Sequence, residues 1–153
     1  MDLLAHHLRI HLTGAAAGIE LFGRGENLWD RDAREVVGRI RRELVEERRS
    51  LVDRVEALGS SDPALIATVA RIGERVGRLK PNGDLLRRTP LTDVVDLEAM
   101  HDAVAGKVAG WRAMLHSPRL DRPELQRLLD QGLRQLDELS ALHERAAERA
   151  FGS

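Results

Sequence analysis

The chain of 153 residues has no cysteine and no tyrosine, and only two tryptophans, two phenylalanines and five prolines. Without cysteine there is no disulfide, no thiolate nucleophile and no zinc–thiolate site. Aromatic residues at 3% leave too little of the material that fills β-sandwiches and barrels. An excess of one charge is also missing: 24 basic residues face 25 acidic ones, for a formal net charge of −1. Proteins whose main work is neutralising phosphates carry a clear positive excess. No apolar run nears the roughly 20 residues needed to cross a bilayer. The opening Met1-Asp2-Leu3-Leu4-Ala5-His6 lacks a basic stretch leading into an apolar one, so a cytoplasmic location is expected and secretion is not.

Leucine, alanine, valine, arginine and glutamate dominate a composition that is 42% hydrophobic and 32% charged. Their helical spacing predicts an all-α chain forming one domain over 1–153, long enough to bury roughly 68–70% of its unfolded surface. The first long helix is expected from about Asp2 to Leu21 or Phe22, closed by the double glycine Gly23-Arg24-Gly25. The second begins near Asn27–Asp32, where Asn27 competes with the Asp32-x-x-Glu35 capping box, and runs to Leu58 before Gly59-Ser60-Ser61. The third opens at Thr89-Pro90, carries Asp93 and Asp96 near its positive end, and closes near His116. The fourth runs from the capping box Asp121-Arg122-Pro123-Glu124 to about Phe151.

Ser60 to Thr89 forms an unusual connection. Asp62-Pro63 starts a shorter helix through Ala64, Ile66, Val69 and Ile72, ending near Gly77, and Lys80-Pro81-Asn82-Gly83 reads as a turn. Short links make the first and second helices, and the third and fourth, antiparallel hairpins. The long link crosses the bundle and leaves the second and third long helices parallel, which is the topology of ferritin-like four-helix bundles.

The apolar stripes carry the functional hints. The first helix buries Leu4, Leu8, Ala15, Ile19 and Phe22, with Gly14 and Gly18 alongside to admit a close neighbour. The second presents Val37, Ile40, Leu44, Glu47, Leu51, Arg54 and Leu58. The third presents Val94, Leu97, His101, Val104, Val108, Trp111 and Leu115; the fourth, Leu125, Leu129, Gly132, Leu136, Leu139, His143 and Ala147. His11, Glu47, His101 and His143 interrupt these stripes, with Glu98 at an inward edge and His7 one turn before His11. A buried charge needs a partner. Two readings follow: a Glu–His hydrogen-bond network, or a metal site drawn from Glu47, Glu98, His101, His11, His7 and His143 that would take iron, manganese or zinc. By depth along the bundle, Glu47 meets His7 first, with His11 and His101 behind it.

Glu98-x-x-His101 resembles half of the carboxylate–histidine signature of ferritin-like di-iron proteins. That resemblance implies a glutamate from each of two helices and Glu-x-x-His from the other two, all facing inward. The match is partial. Ser140 stands where the glutamate paired with His143 belongs, and the second helix offers Glu43, Glu46 and Glu47 without a histidine. Glu20 lies opposite the first helix's apolar stripe. A complete two-metal site is therefore not expected.

The chain also resembles a family of bacterial helical proteins of this length. The shared segments are His11-Leu12-Thr13-Gly14, Ala17-Gly18-Ile19-Glu20-Leu21, Gly77-Arg78-Leu79-Lys80-Pro81-Asn82-Gly83, Thr89-Pro90-Leu91, and Leu97-Glu98 followed by Gly106-Lys107. This resemblance implies the helical fold and brings no activity with it.

The remaining motifs are weaker. Gly73, Gly77 and Gly83 follow no strand and lead to no Gly-Lys-Ser/Thr, so they form no phosphate loop. The serines lack a nucleophile elbow. Arg39-x-Arg41-Arg42 and Arg48-Arg49 alternate with glutamates at spacings of three and four, as on a salt-bridged, solvated face. In the crossover, Arg71, Arg75, Arg78, Lys80, Arg87 and Arg88 face only Asp62, Glu74 and Asp84, an excess of three positive charges. Without base-stacking aromatics, nucleic-acid association is the weakest reading. The expectation is a non-catalytic binding or structural module that needs no cofactor and meets a protein partner or a second copy of itself. The alternative is a metal-binding ferritin-like bundle with an incomplete site.

Overall fold

Helix termini leave four amides without partners, and in this chain aspartates supply most of the acceptors. In the computed structural model, which describes residues 2–59, 62–75 and 87–152, the Asp2 carboxylate accepts from the amides of Leu4 and Ala5. These bonds start α1 (Leu3–Phe22), which runs into a 3₁₀ turn over Gly23–Asn27. Helix α2 (Arg31–Ala57) begins at Asp30, whose carboxylate accepts from the Ala33 amide at 2.7 Å. The cap is therefore neither Asn27 nor Asp32 but a residue between them; Asp32 is engaged instead by Arg145, far along the chain. Gly59 takes a left-handed conformation (φ +59°) just past the end of α2, where a side chain would be strained.

Asp62 accepts from the Ala64 amide at the start of α3 (Pro63–Arg75). Helix α4 (Pro90–Met114) opens with the Thr89 amide donating to the Thr92 hydroxyl at 3.1 Å. The capping box expected for α5 (Arg122–Phe151) does not form. The Asp121 side chain caps no amide, and Glu124 is taken by Arg127 and by Arg54 of α2. The expected α3 end at Gly77 and the turn at Lys80–Gly83 lie outside the described residues.

Contacts between side chains fix the directions of the helices. Asp30, Arg39, Glu43 and Arg54 of the second-helix region meet Arg145, Glu138, Arg134 and Glu124 in reverse order, so α2 and α5 are antiparallel. Asp93, Glu98 and Lys107 meet Arg149, His143 and Gln135, so α4 and α5 are antiparallel too. Helices α2 and α4 consequently run the same way. Helix α1 runs against both: the Arg41 Nε donates to the Ile19 carbonyl, the His11 ring lies on Gly110, and Arg24 reaches Asp96. Helix α3 packs on α1, with Leu65 fully buried.

The core is filled by Leu8, Leu12, Phe22, Leu28, Ile40, Leu97, Met100, Met114, Leu125, Leu128 and Leu139. The stripes depart from the sequence expectation on all four long helices: on α1 Ala5 and Leu12 are buried while Leu4 and Ala15 are half-buried, and on α2 Val55 is buried while Arg54 and Leu58 are half-buried. Met100, not His101, takes the inward position of α4, because adjacent positions compete there and the flexible thioether fills the gap. On α5, Leu128, Gln135, Leu142 and Ala146 turn inward, leaving Leu136 and His143 at the edge.

The glycines divide into two kinds. A Cβ on Gly110 would stand 2.1 Å from the His11 ring, and one on Gly132 would stand 2.7 Å from Val108. Gly14, Gly18 and Gly106 have nothing within 4 Å of that position. The close helix neighbour expected beside Gly14 and Gly18 is absent among the described residues. Gly18→Ala is accordingly expected to raise stability by about 0.5–1 kcal/mol, through backbone entropy alone. Gly110→Ala should lower it by about 1–3 kcal/mol through overpacking. Urea midpoints check both, and a loss in Gly18→Ala would contradict the open space.

Candidate binding groove and its polar floor

Small residues on facing helices leave a gap that no larger side chain among the described residues fills. Gly14, Ala15, Ala17 and Gly18 of α1 face Ala103 and Gly106 of α4 across a groove of about 420 Å³. Leu44 and Leu51 of α2 close it from below, with Glu47 and Lys107 beside them. His11 and Trp111 stand toward one end of the lining, and Leu21 and Phe22 toward the other. The Trp111 ring is buried, yet its Nε1–H finds no acceptor among the described residues.

Glu47, only 5% exposed, is the centre of the polar floor. The Lys107 ammonium donates to its two oxygens at 2.8 and 3.0 Å, and the Gln131 amide donates at 2.6 Å. Lys107 also donates to the Gln135 carbonyl, so all three of its N–H groups are engaged. Gln135, fully buried, passes its own amide hydrogen to Glu43 at 2.7 Å. Arg39 and Arg134 then bind Glu43 from the solvent side. Burial pushes the Lys107 ammonium below its ordinary pKa, against the opposing pull of Glu47. Burial also works to raise the Glu43 carboxyl, but hydrogen bonds from Gln135 and Arg134 outweigh it and hold the group below the usual carboxylate value.

Glu47 is thus buried and paired, but its partner is not a histidine. His7 and His11 sit together on α1, Nε2 to Nε2 at 3.2 Å with rings edge to face. The His11 ring rests against Gly110, away from the carboxylate. His143 meets Glu98 at 3.2 Å near the surface, where Glu98 is exposed. His101 is half-exposed, with its neighbour Asp102 at 3.9 Å. The six candidates fall in four separate places. Among the described residues no three His, Asp or Glu side chains gather to hold a metal ion.

A second polar cluster closes one end of the bundle. Asp93 and Asp96, expected only as charges complementing the helix dipole, are buried. Arg88 spans both, at 2.7 and 3.1 Å, while Arg149 reaches Asp93 and Arg24 reaches Asp96. Trp29 lies under the guanidinium groups of Arg145 and Arg149, 5.6 and 5.0 Å from their carbons. Arg88 is therefore committed and not part of a free basic patch. Arg71 donates to the Ala67 carbonyl of its own helix. Arg78, Lys80 and Asp84 lie outside the described residues. The Arg–Glu pairs of α2 are only partly a solvated face, since Arg39 and Glu43 also bind α5.

Two outcomes follow from this geometry. Glu47→Gln keeps the shape but strands the ammonium, and should cost about 3–5 kcal/mol, most of it recovered in Glu47→Gln with Lys107→Met. Urea midpoints check this; a loss under about 0.5 kcal/mol would mark an exposed pair. His11 has a folded pKa lowered first by burial and then by His7. The unfolded chain therefore takes up that proton first, and stability should fall as pH drops through the ordinary histidine value toward the lower folded one. Comparing urea midpoints at about pH 7.5 and 5.5, His11→Gln should show a shallower loss than the parent; an equal loss contradicts it.

Set against known proteins, the chain matches no family model, no curated protein and no solved structure.

Proposed function

We propose that this protein is a non-catalytic binding module of ferritin-like four-helix architecture, and that the α1–α4 groove is its working surface. The carrying observation is the apolar gap of about 420 Å³ between helices that are elsewhere closely packed. Small-molecule sites occupy about 300–1,000 Å³ and combine apolar walls with a few polar groups. The groove's lining follows that pattern. Its central charges support binding over catalysis: Lys107 has no N–H left to give, and Glu47 is held by Lys107 and Gln131. Neither is free to take a proton from a substrate.

A neutral environment-sensitive dye such as Nile red tests this reading by fluorescence titration. One saturable site per chain is expected. Gly18→Leu should abolish it without lowering the urea midpoint, because the added side chain grows into open space. Equal dye binding by Gly18→Leu, or no saturation by the parent, would overturn the proposal.

A further inference from the structure

The lining of the groove holds one cation without a carboxylate in contact among the described residues. Arg48 of α2 stands half-buried in its wall, and no carboxylate among the described residues meets it. Several arginines of the same helix meet acids: Arg39 meets Glu43 and Glu138, Arg41 meets Glu26, Arg49 meets Glu46, and Arg54 meets Glu124. Arg34 and Arg42 meet none among the described residues, but both are exposed and neither lines the groove. Burial, and then the adjacent Arg49, push the Arg48 guanidinium below its ordinary pKa. Glu47 offers no relief, being neutralised by Lys107. Asp102, the other carboxylate of the lining, stands exposed on α4 and makes no ion pair with Arg48. Trp111 adds to the same lining a buried N–H donor without an acceptor among the described residues.

The shape is as informative as the charge. The groove follows α1 from Ile10 to Phe22, which at 1.5 Å per residue is about 18 Å. Glycine, alanine and leucine supply half of its lining residues. A narrow apolar slot of this length fits an extended chain better than a flat ring system.

We propose that the groove binds a single-chain amphipathic carboxylate, a fatty acid in chemical class, with its tail along the α1–α4 seam and its head against Arg48. This rests on the groove being a binding site and adds the chemistry of what it binds. The guanidinium fork matches a carboxylate in geometry and charge. The tail displaces water from glycine and alanine surfaces that no side chain of the described residues covers. A neutral chain of equal length leaves Arg48 unanswered, and a cationic one is repelled by it.

The test is displacement of the bound dye from the full chain by decanoate, decanol or decylammonium, all below micellar concentrations. Decanoate should compete about tenfold more tightly than decanol, the factor expected of one charge-assisted hydrogen bond, and decylammonium more weakly than either. Arg48→Gln should bring decanoate and decanol together, and Arg48→Lys should restore part of the difference. A urea midpoint near that of the parent shows that each variant is folded. Equal affinities in the parent, or an undiminished preference in Arg48→Gln, would overturn the carboxylate assignment while dye binding kept the groove reading intact. Failure of the dye to bind the parent would overturn both.

Discussion

One ammonium ion organises the middle of this bundle. Lys107 extends from α4 to α2, where Glu47 waits with both oxygens, and Gln135 of α5 accepts its third proton. Three helices are tied at one level by a group that must keep all its bonds or be expelled to water. Isolated in an apolar interior, either charge would be prohibitively costly. Their mutual attraction and two glutamines make the arrangement tolerable without making it a large net source of stability. Its effect is on register: sliding α4 by one turn would move the ammonium about 5.4 Å and leave Glu47 facing hydrocarbon.

The end cluster applies the same logic to the chain's entry and exit points. Asp93 and Asp96 are buried at the start of α4, and their partners come from the turn after α1, the residues before α4 and the end of α5. Segments distant in sequence are thereby joined at one end of the bundle. At the other end Asp2 accepts from Arg119 while capping α1, a more exposed and weaker tie. Apolar packing between these levels supplies the driving force for folding, and the polar clusters select which helix faces which.

The elements were legible in the sequence because their boundaries are local chemistry. Asp2, Asp62 and Thr89-Pro90 mark helix starts by interactions within a few residues, and a double glycine marks a turn whether or not it is 3₁₀. Partners were less legible. Glu47 stood out as a charge inside an apolar stripe, and its burial followed; identifying Lys107 required knowing which helix lies across from it. A signal did exist, since Lys107 is one of two lysines among 24 basic residues and shares a face with Val104 and Trp111. A compact ammonium suits a narrow interior site better than a guanidinium fork does. Gln135 gave no warning, because a neutral amide interrupts periodicity without violating it. Gly14 and Gly18 misled for a physical reason: a small residue permits close packing and equally permits empty space, and spacing alone cannot separate the two.

That ambiguity of glycine is what places the groove beside the polar floor. Lys107 needs room for its stem to reach α2, and small residues on α1 and α4 give that room at the cost of an unfilled seam. The two cations in the lining then have different fates. Lys107 has spent its hydrogen bonds on Glu47 and Gln135, so anything entering the groove meets its methylene stem and gains nothing from its charge. Arg48 has spent none on an acid among the described residues, and an arriving tail would strip more water from it. Occupancy by an uncharged molecule would therefore deepen the desolvation of Arg48 without repaying it, whereas a carboxylate supplies the missing partner as it excludes the water. Selectivity in such a groove resides in the cation that folding leaves unanswered, not in the one that folding requires.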